Sequence, residues 1–222
     1  MPQQVFEIGI RKLRVWPERQ MLYPLDEPSI KITNFADIDY YHSALKRRVL
    51  ELREDPQFRD YIFHGGCGVK VRRIDHWARL ESDLIHARAI ALFKHVYGDA
   101  SALVDDSWAS VYDKGDYCMS HSHCRSIASV LYMLDPGDQD PTDLTSGKFC
   151  FADPRISACC QNEPGRMTDL LTPTLQEGSM LIFPSEWVHL VTPYAGSRQR
   201  ITLSWNIHTR ALPGKPADHY RR

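Results

Sequence analysis

Three histidines and one arginine in the second half of the chain have the types and spacing of a metal site beside an anion site. One residue separates His121 from His123, and His189 follows on a later segment. Side chains alternate between the two faces of a strand, so a strand over residues 117–123 directs both histidines of the pair to one side. Two imidazoles on one face, closed by a third from a distant strand, suit ligation of Fe, Zn, Ni or Cu. Arg200 lies eleven residues beyond His189, far enough to return to the same cavity on the next antiparallel strand.

The spacing by itself leaves other interpretations open. The three histidines could fill a barrel as ordinary core side chains, and Arg200 could form a surface ion pair, as most arginines do. A carboxylate such as Asp116, or a water, could take the third ligand position; we favour His123, because no other residue matches the spacing. The remaining histidines are interpreted as surface or core residues: His42, His64, His76, His86, His95, His208 and His219.

Length and composition limit the class of protein. The chain has 222 residues, 43% of them hydrophobic, and a formal net charge of −1, which favours one folded domain over 1–222 and gives no sign of a nucleic-acid partner. No apolar run is long enough to span a bilayer, and the N-terminus lacks a basic segment followed by an apolar one. The six cysteines show no CxxC spacing. We therefore expect a cytoplasmic protein with unpaired thiols and no membrane partner.

The first hundred residues predict a strand and two helices that support the rest of the chain. Residues 4–16 alternate loosely and predict a strand with Phe6, Ile8 and Ile10 on one face. Apolar residues at spacings of three and four predict helices over 34–53 and 75–97, with Gly98 as the C-terminal stop of the second. The segment 64–68 is interpreted as a turn, because it lacks the GxGxxG spacing of a phosphate loop. The expected buried stripe of the second helix is Trp77, Leu80, Leu84, Ala87 and Ala91.

Residues 101–210 have a different sequence pattern, in which short strand-like runs are separated by turns rich in Gly, Pro and Asp. This spacing predicts a β-sandwich or jelly-roll core, with 1–100 as its N-terminal support. The irregular stretches 135–146 and 154–173 are expected to form the rim of a site. The predicted strands are 108–112, 117–123, 127–134, 147–151, 179–183, 187–192 and 200–207.

Several motifs in a fixed order resemble one known family. They are the His121–His123 pair, the Gly-Lys-Phe-Cys-Phe-Ala-Asp-Pro-Arg stretch over 147–155, the Phe-Pro-Ser of 183–185, the distal His189, and the Arg-Ile…Asn of 200–206. Together they resemble a subgroup of the 2-oxoglutarate/Fe(II)-dependent oxygenases with an HxH…H…R motif. The resemblance extends over about residues 108–207, half of the chain.

The resemblance implies a mainly β protein, with a double-stranded β-helix (jelly-roll or cupin-like) barrel, an N-terminal strand and two supporting helices. It implies a non-haem Fe(II)- and 2-oxoglutarate-dependent dioxygenase that hydroxylates an unidentified substrate with release of succinate and CO2. His121 and His189 are the two imidazole ligands of the family pattern. The wider superfamily has Asp or Glu where this chain has His123, whereas the subgroup has His there. The metal and catalytic residues are thus predicted to be His121, His123 and His189.

The resemblance also suggests residues for the cosubstrate and the substrate. Arg200 would bind the distal carboxylate of 2-oxoglutarate, with Thr202 and Tyr132 beside it, although barrel-core packing explains the last two equally well. Arg155 and Trp187 are candidates for substrate contact at the pocket mouth. For Arg155 the alternative is an ion pair with Asp153 in a turn, and for Trp187 it is core packing. The subgroup has a tyrosine where this chain has Leu131.

Two rival functions stay open at this stage. One is a three-histidine, cupin-like metalloenzyme (a dioxygenase or a hydrolase) that does not use 2-oxoglutarate, in which Arg200 binds a carboxylate of the substrate itself. The other is a barrel that binds a metal or ligand without catalysis. The expected partners are O2 and a small-molecule or peptide substrate, and a homodimer through the N-terminal strand or helices is left open.

Overall fold

The protein is mainly β, and its strands form two facing sheets and one hairpin. The computed structural model describes residues 4–24, 29–61, 66–98, 101–123, 125–138, 143, 145–160, 163 and 166–209. The two α-helices within these residues are α1 (His42–Arg53) and α2 (Leu80–Tyr97). The strands are β1 (Val5–Ile8), β2 (Arg11–Arg14), β3 (Tyr23–Pro24), β4 (Lys31–Asn34), β5 (Arg59–Tyr61), β6 (Gly66–Cys67), β7 (Val69–Arg72), β8 (Leu103–Tyr112), β9 (Tyr117–His121), β10 (Ala128–Asp135), β11 (Phe149–Phe151), β12 (Ser179–Pro184), β13 (His189–Val191) and β14 (Arg200–His208).

The major sheet has eight strands in the order β3-β4-β12-β10-β14-β8-β7-β5, and the minor sheet has four in the order β11-β13-β9-β6. All neighbouring strands are antiparallel. Strands that follow each other in the chain often lie in different sheets, as β9, β10 and β11 do. The C-terminal half thereby forms the predicted jelly-roll core, with an opening between the sheets.

The major sheet is covered on both faces, so its central strands are apolar on both faces. Every residue of β10 is buried. Val130, Tyr132 and Leu134 pack towards the helices, whereas Leu131 packs between the two sheets. Because β-branched and aromatic side chains suit a pleated, buried surface, such a run forms a strand whichever face points inward.

The helices cover the outer face of the major sheet, as predicted, but both begin later than the sequence indicates. The first predicted helix is a 3-10 turn over Ile38–Tyr40 followed by α1, because Tyr41 between them has non-helical backbone angles. The second is likewise a 3-10 turn over Ile74–His76 followed by α2. Gly98 ends α2 in the left-handed conformation at φ 62°, which confirms the predicted stop.

The stripe predicted for α2 is only partly correct. Trp77 and Leu84 are fully buried, but Leu80 at the first helical position is 52% exposed, and Ala87 and Ala91 are half-buried. The helix buries a neighbouring stripe instead: Leu84, Ile85, Arg88, Ala89, Leu92 and Phe93. Arg88 lies within this buried stripe. A prediction based on the spacing of apolar residues does not include an arginine, so it identified the wrong face of the helix.

The N-terminal segment 4–16 is a hairpin of β1 and β2 rather than one strand. Gly9 at φ 60° makes the turn, and Ile10 beside it is 96% exposed, so the predicted face shared with Phe6 and Ile8 is wrong. A glycine in the left-handed region is typical of tight hairpins and explains the reversal.

Strands β5, β6 and β7 have no counterpart in the sequence-based prediction. The segment 64–68, predicted as a turn, contains β6, and its residues 64 and 65 lie outside the described part of the chain. β7 pairs with β8, and β4 pairs with β12, so both halves of the chain contribute strands to the major sheet. Within the described residues, no helix has the length and apolarity needed to cross a bilayer.

Candidate active site

Three imidazoles converge between the two sheets. One ligand nitrogen from each of His121, His123 and His189 can be chosen so that all lie within 4.8 Å of one another. His121 on β9 is the register partner of His189 on β13, and the centroids of these two rings are 4.4 Å apart. Three nitrogens at this separation can bind one metal ion.

Backbone carbonyls orient two of the three rings. Nδ1 of His121 lies 2.9 Å from the Met119 carbonyl oxygen, and Nδ1 of His189 lies 2.8 Å from that of Trp187. A carbonyl oxygen only accepts, so each Nδ1 carries the proton and donates. The lone pair of each ring is then on Nε2, and such hydrogen bonds fix the tautomer and orientation of metal-binding histidines.

His123 reaches the site in a different way from the predicted one. β9 ends at His121, so the pair does not share one strand, and the geometry expected from strand alternation is wrong in this detail. The His123 backbone N–H donates to the Ser185 carbonyl oxygen at 2.7 Å. The Ser185 hydroxyl lies 2.9 Å from that of Ser129, which donates to Asn206 Oδ1 at 2.9 Å. This chain of contacts ties the segment that carries His123 to the major sheet.

Burial keeps the three imidazoles neutral. It lowers the pKa of His121, lowers that of His123 to about 3 with the nearby His121 adding to the effect, and lowers that of His189 far below its ordinary value. A histidine must be neutral to ligate a metal, so these three are ready to bind at neutral pH without releasing protons.

Asp116, the alternative third ligand, is used elsewhere. Its Oδ2 accepts the backbone N–H of Asp113 at 2.8 Å, in the turn before β9. Among the described residues, the group of His121, His123 and His189 includes no carboxylate. The donor set is thus three neutral nitrogens.

Arg200 is the second notable group. It is the first residue of β14, is 0% exposed, and none of its guanidinium nitrogens has a hydrogen-bond partner among the described residues. Its guanidinium carbon lies 5.4 Å from the centroid of the Tyr112 ring. Burial lowers its pKa. A buried cation without partners is costly, so this arrangement indicates a site for an anionic ligand.

Arg200 and Thr202 line two different cavities. Arg200 lines one of about 660 Å³, bounded by residues of 133–137, 147–149 and 172–177. Thr202, two residues along β14, is 3% exposed and lines a smaller cavity of about 50 Å³ around the histidines. Phe149 borders both cavities. The predicted pair of Arg200 and Thr202 thus lies on the site face of β14.

Tyr132 is not brought to this site, and the prediction that it contacts the cosubstrate must be corrected. Its hydroxyl lies 2.9 Å from that of Tyr41 and 2.5 Å from His42 Nε2, on the side of the major sheet that faces the helices. Side chains alternate along β10, so Leu131 lines the histidine cavity and Tyr132 points away from it.

Arg155 and Trp187 do not line the histidine cavity either. Arg155 binds the Asp153 carboxylate through two nitrogens, at 2.9 and 2.6 Å, and donates to the Glu186 carbonyl oxygen. The alternative that the sequence left open, an Asp–Arg pair in a turn, is the observed one. Trp187 is 8% exposed and packs edge-on against Phe151 in the core between the sheets.

Sequence reasoning missed several residues of the cavity wall. Lys70 on β7, Trp108 and Tyr112 on β8, and Phe149 on β11 all line the histidine cavity. For the two β8 residues a signal existed, because Trp108 and Tyr112 lie an even number of residues apart on a predicted strand. For Lys70 there was none, because β7 was not recognised.

The comparisons with known proteins agree with this geometry. Residues 106–206 match the family model described as "Putative 2OG-Fe(II) oxygenase". No curated protein sequence matches the chain.

Solved structures with the same fold include the non-heme α-ketoglutarate-dependent carbocyclase SnoK of nogalamycin biosynthesis (TM-score 0.62, 11% identity, 82% of this chain and 80% of that one). They also include the epimerase SnoN of the same biosynthesis (TM-score 0.59, 16% identity, 87% and 86%). A third is a prolyl-4-hydroxylase of Pseudomonas putida (TM-score 0.56, 16% identity, 82% and 94%). The predicted double-stranded β-helix fold is confirmed.

Residues 106–206, which carry the site, match the family of 2-oxoglutarate- and Fe(II)-dependent oxygenases, so the resemblance seen in the motifs is confirmed. The protein is therefore an enzyme whose cofactors are Fe(II) and 2-oxoglutarate. The side chains fit both groups. Imidazole nitrogens suit iron, and the guanidinium of Arg200, which has no hydrogen-bond partner among the described residues, suits a carboxylate.

Proposed function

We propose that this protein is a dioxygenase that hydroxylates an organic substrate, with conversion of 2-oxoglutarate and O2 to succinate and CO2. The observation that carries the proposal is the buried guanidinium of Arg200, which has no hydrogen-bond partner among the described residues. It lies on the strand whose next inward residue, Thr202, lines the histidine cavity. A carboxylate would remove the cost of that buried charge and accept two parallel hydrogen bonds.

We assign the metal to His121, His123 and His189. When bound, Fe(II) and 2-oxoglutarate supply the O2-dependent oxidising chemistry that amino-acid side chains lack. The contribution of the protein is to present three neutral nitrogens in a fixed orientation. The carbonyls of Met119 and Trp187 hold two of the rings, and the Ser185 carbonyl holds the backbone of the third.

We assign Arg200 and Thr202 to the carboxylate of 2-oxoglutarate that is remote from the metal. Arg200 can donate from two nitrogens, and the Thr202 hydroxyl can donate from the same face of β14. The step that these residues perform is binding and orientation, since a cosubstrate fixed at its far end can present its other end to the metal in one position only.

Part of the cavity wall is apolar. Phe149 and Phe183 lie with ring centroids 5.5 and 5.0 Å from that of His189, and Leu131 lines the cavity from β10. Apolar side chains beside a metal site strengthen the electrostatic interactions inside it and reduce the access of solvent.

Hydroxylation is the reaction we infer from this class, with a small molecule or peptide as substrate and O2 as the oxidant. The relatives of known structure support this range: one is a prolyl-4-hydroxylase, and another is a prolyl hydroxylase of Trichoplax adhaerens in complex with a peptide fragment. The epimerase and the carbocyclase show that the fold also accommodates other outcomes. The reaction type therefore needs a direct test.

We place the protein in a reducing, cytoplasmic compartment. Cys67, Cys118, Cys150, Cys159 and Cys160 are free thiols, and Cys150 and Cys159 are buried. Free thiols are usual where glutathione and thioredoxin keep cysteines reduced.

The test is an anaerobic titration of the Fe(II)-loaded protein with 2-oxoglutarate. We expect a weak visible metal-to-ligand band that saturates, and succinate production after O2 is admitted. His121→Ala and His189→Ala should each abolish iron retention and the band while leaving the far-UV circular dichroism unchanged. His95→Ala is the matched control, because His95 lies on the outer helix α2 and stacks on Trp16, far from the site.

Retention of iron without the band would contradict the use of 2-oxoglutarate and favour the three-histidine dioxygenase that does not use it. Tightly held zinc, with no affinity for 2-oxoglutarate after exchange to iron, would favour a hydrolase or a metal-binding barrel.

A further inference from the structure

Lys70 is a second cation at the histidine cavity. It lies on β7, its register partner on β8 is Ser110, and both residues line the cavity. Its ammonium nitrogen lies over the Trp108 ring, 4.4 Å from the centroid. It has no hydrogen bond or ion pair with any residue that the structure describes.

The neighbouring cation on the same strand, Arg72, has ion-pair partners. Arg72, two residues further along and on the same face of β7, is paired with Asp60 and Asp106. Lys70 is half-buried, and its ammonium contacts the aromatic ring, an interaction that contributes about 0.5–2 kcal/mol. Burial lowers the pKa of Lys70. The carboxylate of Asp106 attracts the ammonium from a distance, but among the described residues Lys70 forms no ion pair of the kind that Arg72 forms.

Trp108 fixes the position of this cation relative to the metal site. Its indole Nε1–H donates to Ser110 Oγ at 3.1 Å, which orients the ring. The ring centroid lies 5.8 Å from that of His123. Lys70 is thus held on the His123 side of the cavity.

Lys70 and Arg200 lie over different rings of β8, those of Trp108 and Tyr112, which are four residues apart. The register partner of Arg200 on β8 is Tyr112, so β8 lies between the strands of the two cations. Two inter-strand steps separate their backbones by about 10 Å. With Arg200 assigned to the cosubstrate, Lys70 is available to another anion.

The charge of the loaded site favours such an anion. Among the described residues that line the histidine cavity there is no Asp or Glu. Fe(II), Arg200 and Lys70 together carry four positive charges, and 2-oxoglutarate as a dianion cancels two of them. A site with two histidines and one carboxylate would carry one positive charge fewer, so the presence of His123 adds to the excess.

We propose that Lys70 is a specificity-determining residue that binds an oxyanion of the primary substrate, so the enzyme acts on carboxylate- or phosphate-bearing compounds. This inference rests on the proposed function, because it assigns Arg200 to 2-oxoglutarate. The anion lies on the His123 side of the metal, and its attachment to Lys70 presents the rest of the substrate to the iron.

The test uses pairs of probes in which one compound carries an oxyanion and the other is neutral. The Fe(II) protein, saturated with 2-oxoglutarate under anaerobic conditions, is titrated calorimetrically with benzoate against benzamide and with phenyl phosphate against phenol. The visible band is followed to verify that 2-oxoglutarate stays bound. We expect at least one of the anions to bind at least tenfold more tightly than its neutral counterpart, and the arm in which this occurs distinguishes a carboxylate from a phosphate.

Lys70→Met keeps the length and apolar stem of the side chain and should remove that preference. Lys12→Met is the matched control and should retain it, because Lys12 is exposed on the N-terminal hairpin and pairs with Glu7. Equal binding of charged and neutral probes, or a preference that survives in Lys70→Met, overturns the proposal; the latter result would mean that the anion binds the iron directly.

A tenfold loss of 2-oxoglutarate affinity in Lys70→Met also overturns it, since Lys70 would then serve the cosubstrate. Failure of the proposed function is distinguishable, because the unsubstituted protein would then show no 2-oxoglutarate band at all.

Discussion

Arg88 and Arg200 are both 0% exposed and lie on opposite sides of the major sheet, yet their surroundings differ completely. Arg88 on α2 donates to both carboxylate oxygens of Asp37 at 2.9 and 2.5 Å, to the Tyr41 hydroxyl and to the Arg14 carbonyl. Arg200 has no such partner among the described residues. Burial lowers the pKa of both guanidinium groups, but for Arg88 the hydrogen bonds with Asp37 and the charges of Asp37, Tyr41 and Tyr132 together outweigh it, so its pKa is raised.

The difference separates a structural charge from a binding charge. Arg88 comes with its own counter-ion and ties the N-terminal hairpin, the segment before α1 and α2 to one another. Arg200 contributes a buried positive charge that no described residue neutralises. The buried arginine on the helix side of the major sheet is thus neutralised by an ion pair within the protein, whereas the one on the side of the minor sheet is available to a ligand.

Substitution of Arg88 should have the largest effect on stability. Arg88→Met leaves the Asp37 carboxylate without its partner, so we expect a loss of about 3–5 kcal/mol in the free energy of unfolding. Urea unfolding followed by circular dichroism measures it. The affinity for 2-oxoglutarate should stay within threefold of the original value; a tenfold change would show that the two faces are not independent.

Substitution of Arg200 should have the opposite pattern. Arg200→Met should weaken 2-oxoglutarate binding at least 100-fold, about 2.7 kcal/mol, because a buried hydrogen-bonded charge pair loses one partner. The free energy of unfolding without ligand should not fall, since an uncompensated buried charge is removed. Anaerobic titration of the Fe(II) protein and urea unfolding give the two numbers. A loss of stability similar to that of Arg88→Met would contradict the distinction between the two arginines.

A third prediction concerns pH and the helix-facing side. His42 is buried there, and burial lowers its pKa from 6.5 to about 4. The folded state therefore excludes a proton that the unfolded state binds below pH 6.5, so this contribution to stability is complete above pH 6.5 and is lost as the pH falls towards 4. From pH 7.5 to 5.5 the loss should be about 1.4 kcal/mol.

The measurement compares the metal-free protein with metal-free His42→Gln at both pH values. The variant should lose about 1.4 kcal/mol less than the original protein over this interval. Equal losses in the two proteins would show that His42 does not contribute to the pH dependence. The three site histidines are present in both, so their contributions cancel.

A loss similar in size to that for His42 is expected at Tyr132, which the sequence assigned to the wrong face. Tyr132→Phe removes a hydroxyl that contacts Tyr41 and His42, and we expect a loss of about 1–2 kcal/mol in stability. The affinity for 2-oxoglutarate should not change. A tenfold weaker affinity in Tyr132→Phe would restore the original assignment of this residue to the cosubstrate.

The sequence predicted the residues of the site better than their geometry. His121, His123, His189 and Arg200 could be found because each lies in a motif, and motifs depend on local order along the chain. The local sequence pattern also predicted the bounds of the main barrel strands to within a few residues. It did not show that β9 ends at His121, because the position of His123 depends on contacts with Ser185, which is more than sixty residues away.

Only the tertiary structure shows which face of each strand lines the cavity. Alternation shows that Leu131 and Tyr132 point in opposite directions, but β10 is buried on both faces, so no polarity pattern tells which one reaches the cavity. The place of Lys70 in the site could not be predicted from the sequence for a related reason. Its strand is short, and its place beside Trp108 exists only because β7 pairs with β8. The sequence by itself thus determined which groups can bind a metal and a carboxylate. The tertiary structure decided which buried charges are already paired, because that depends on side chains brought together from distant segments.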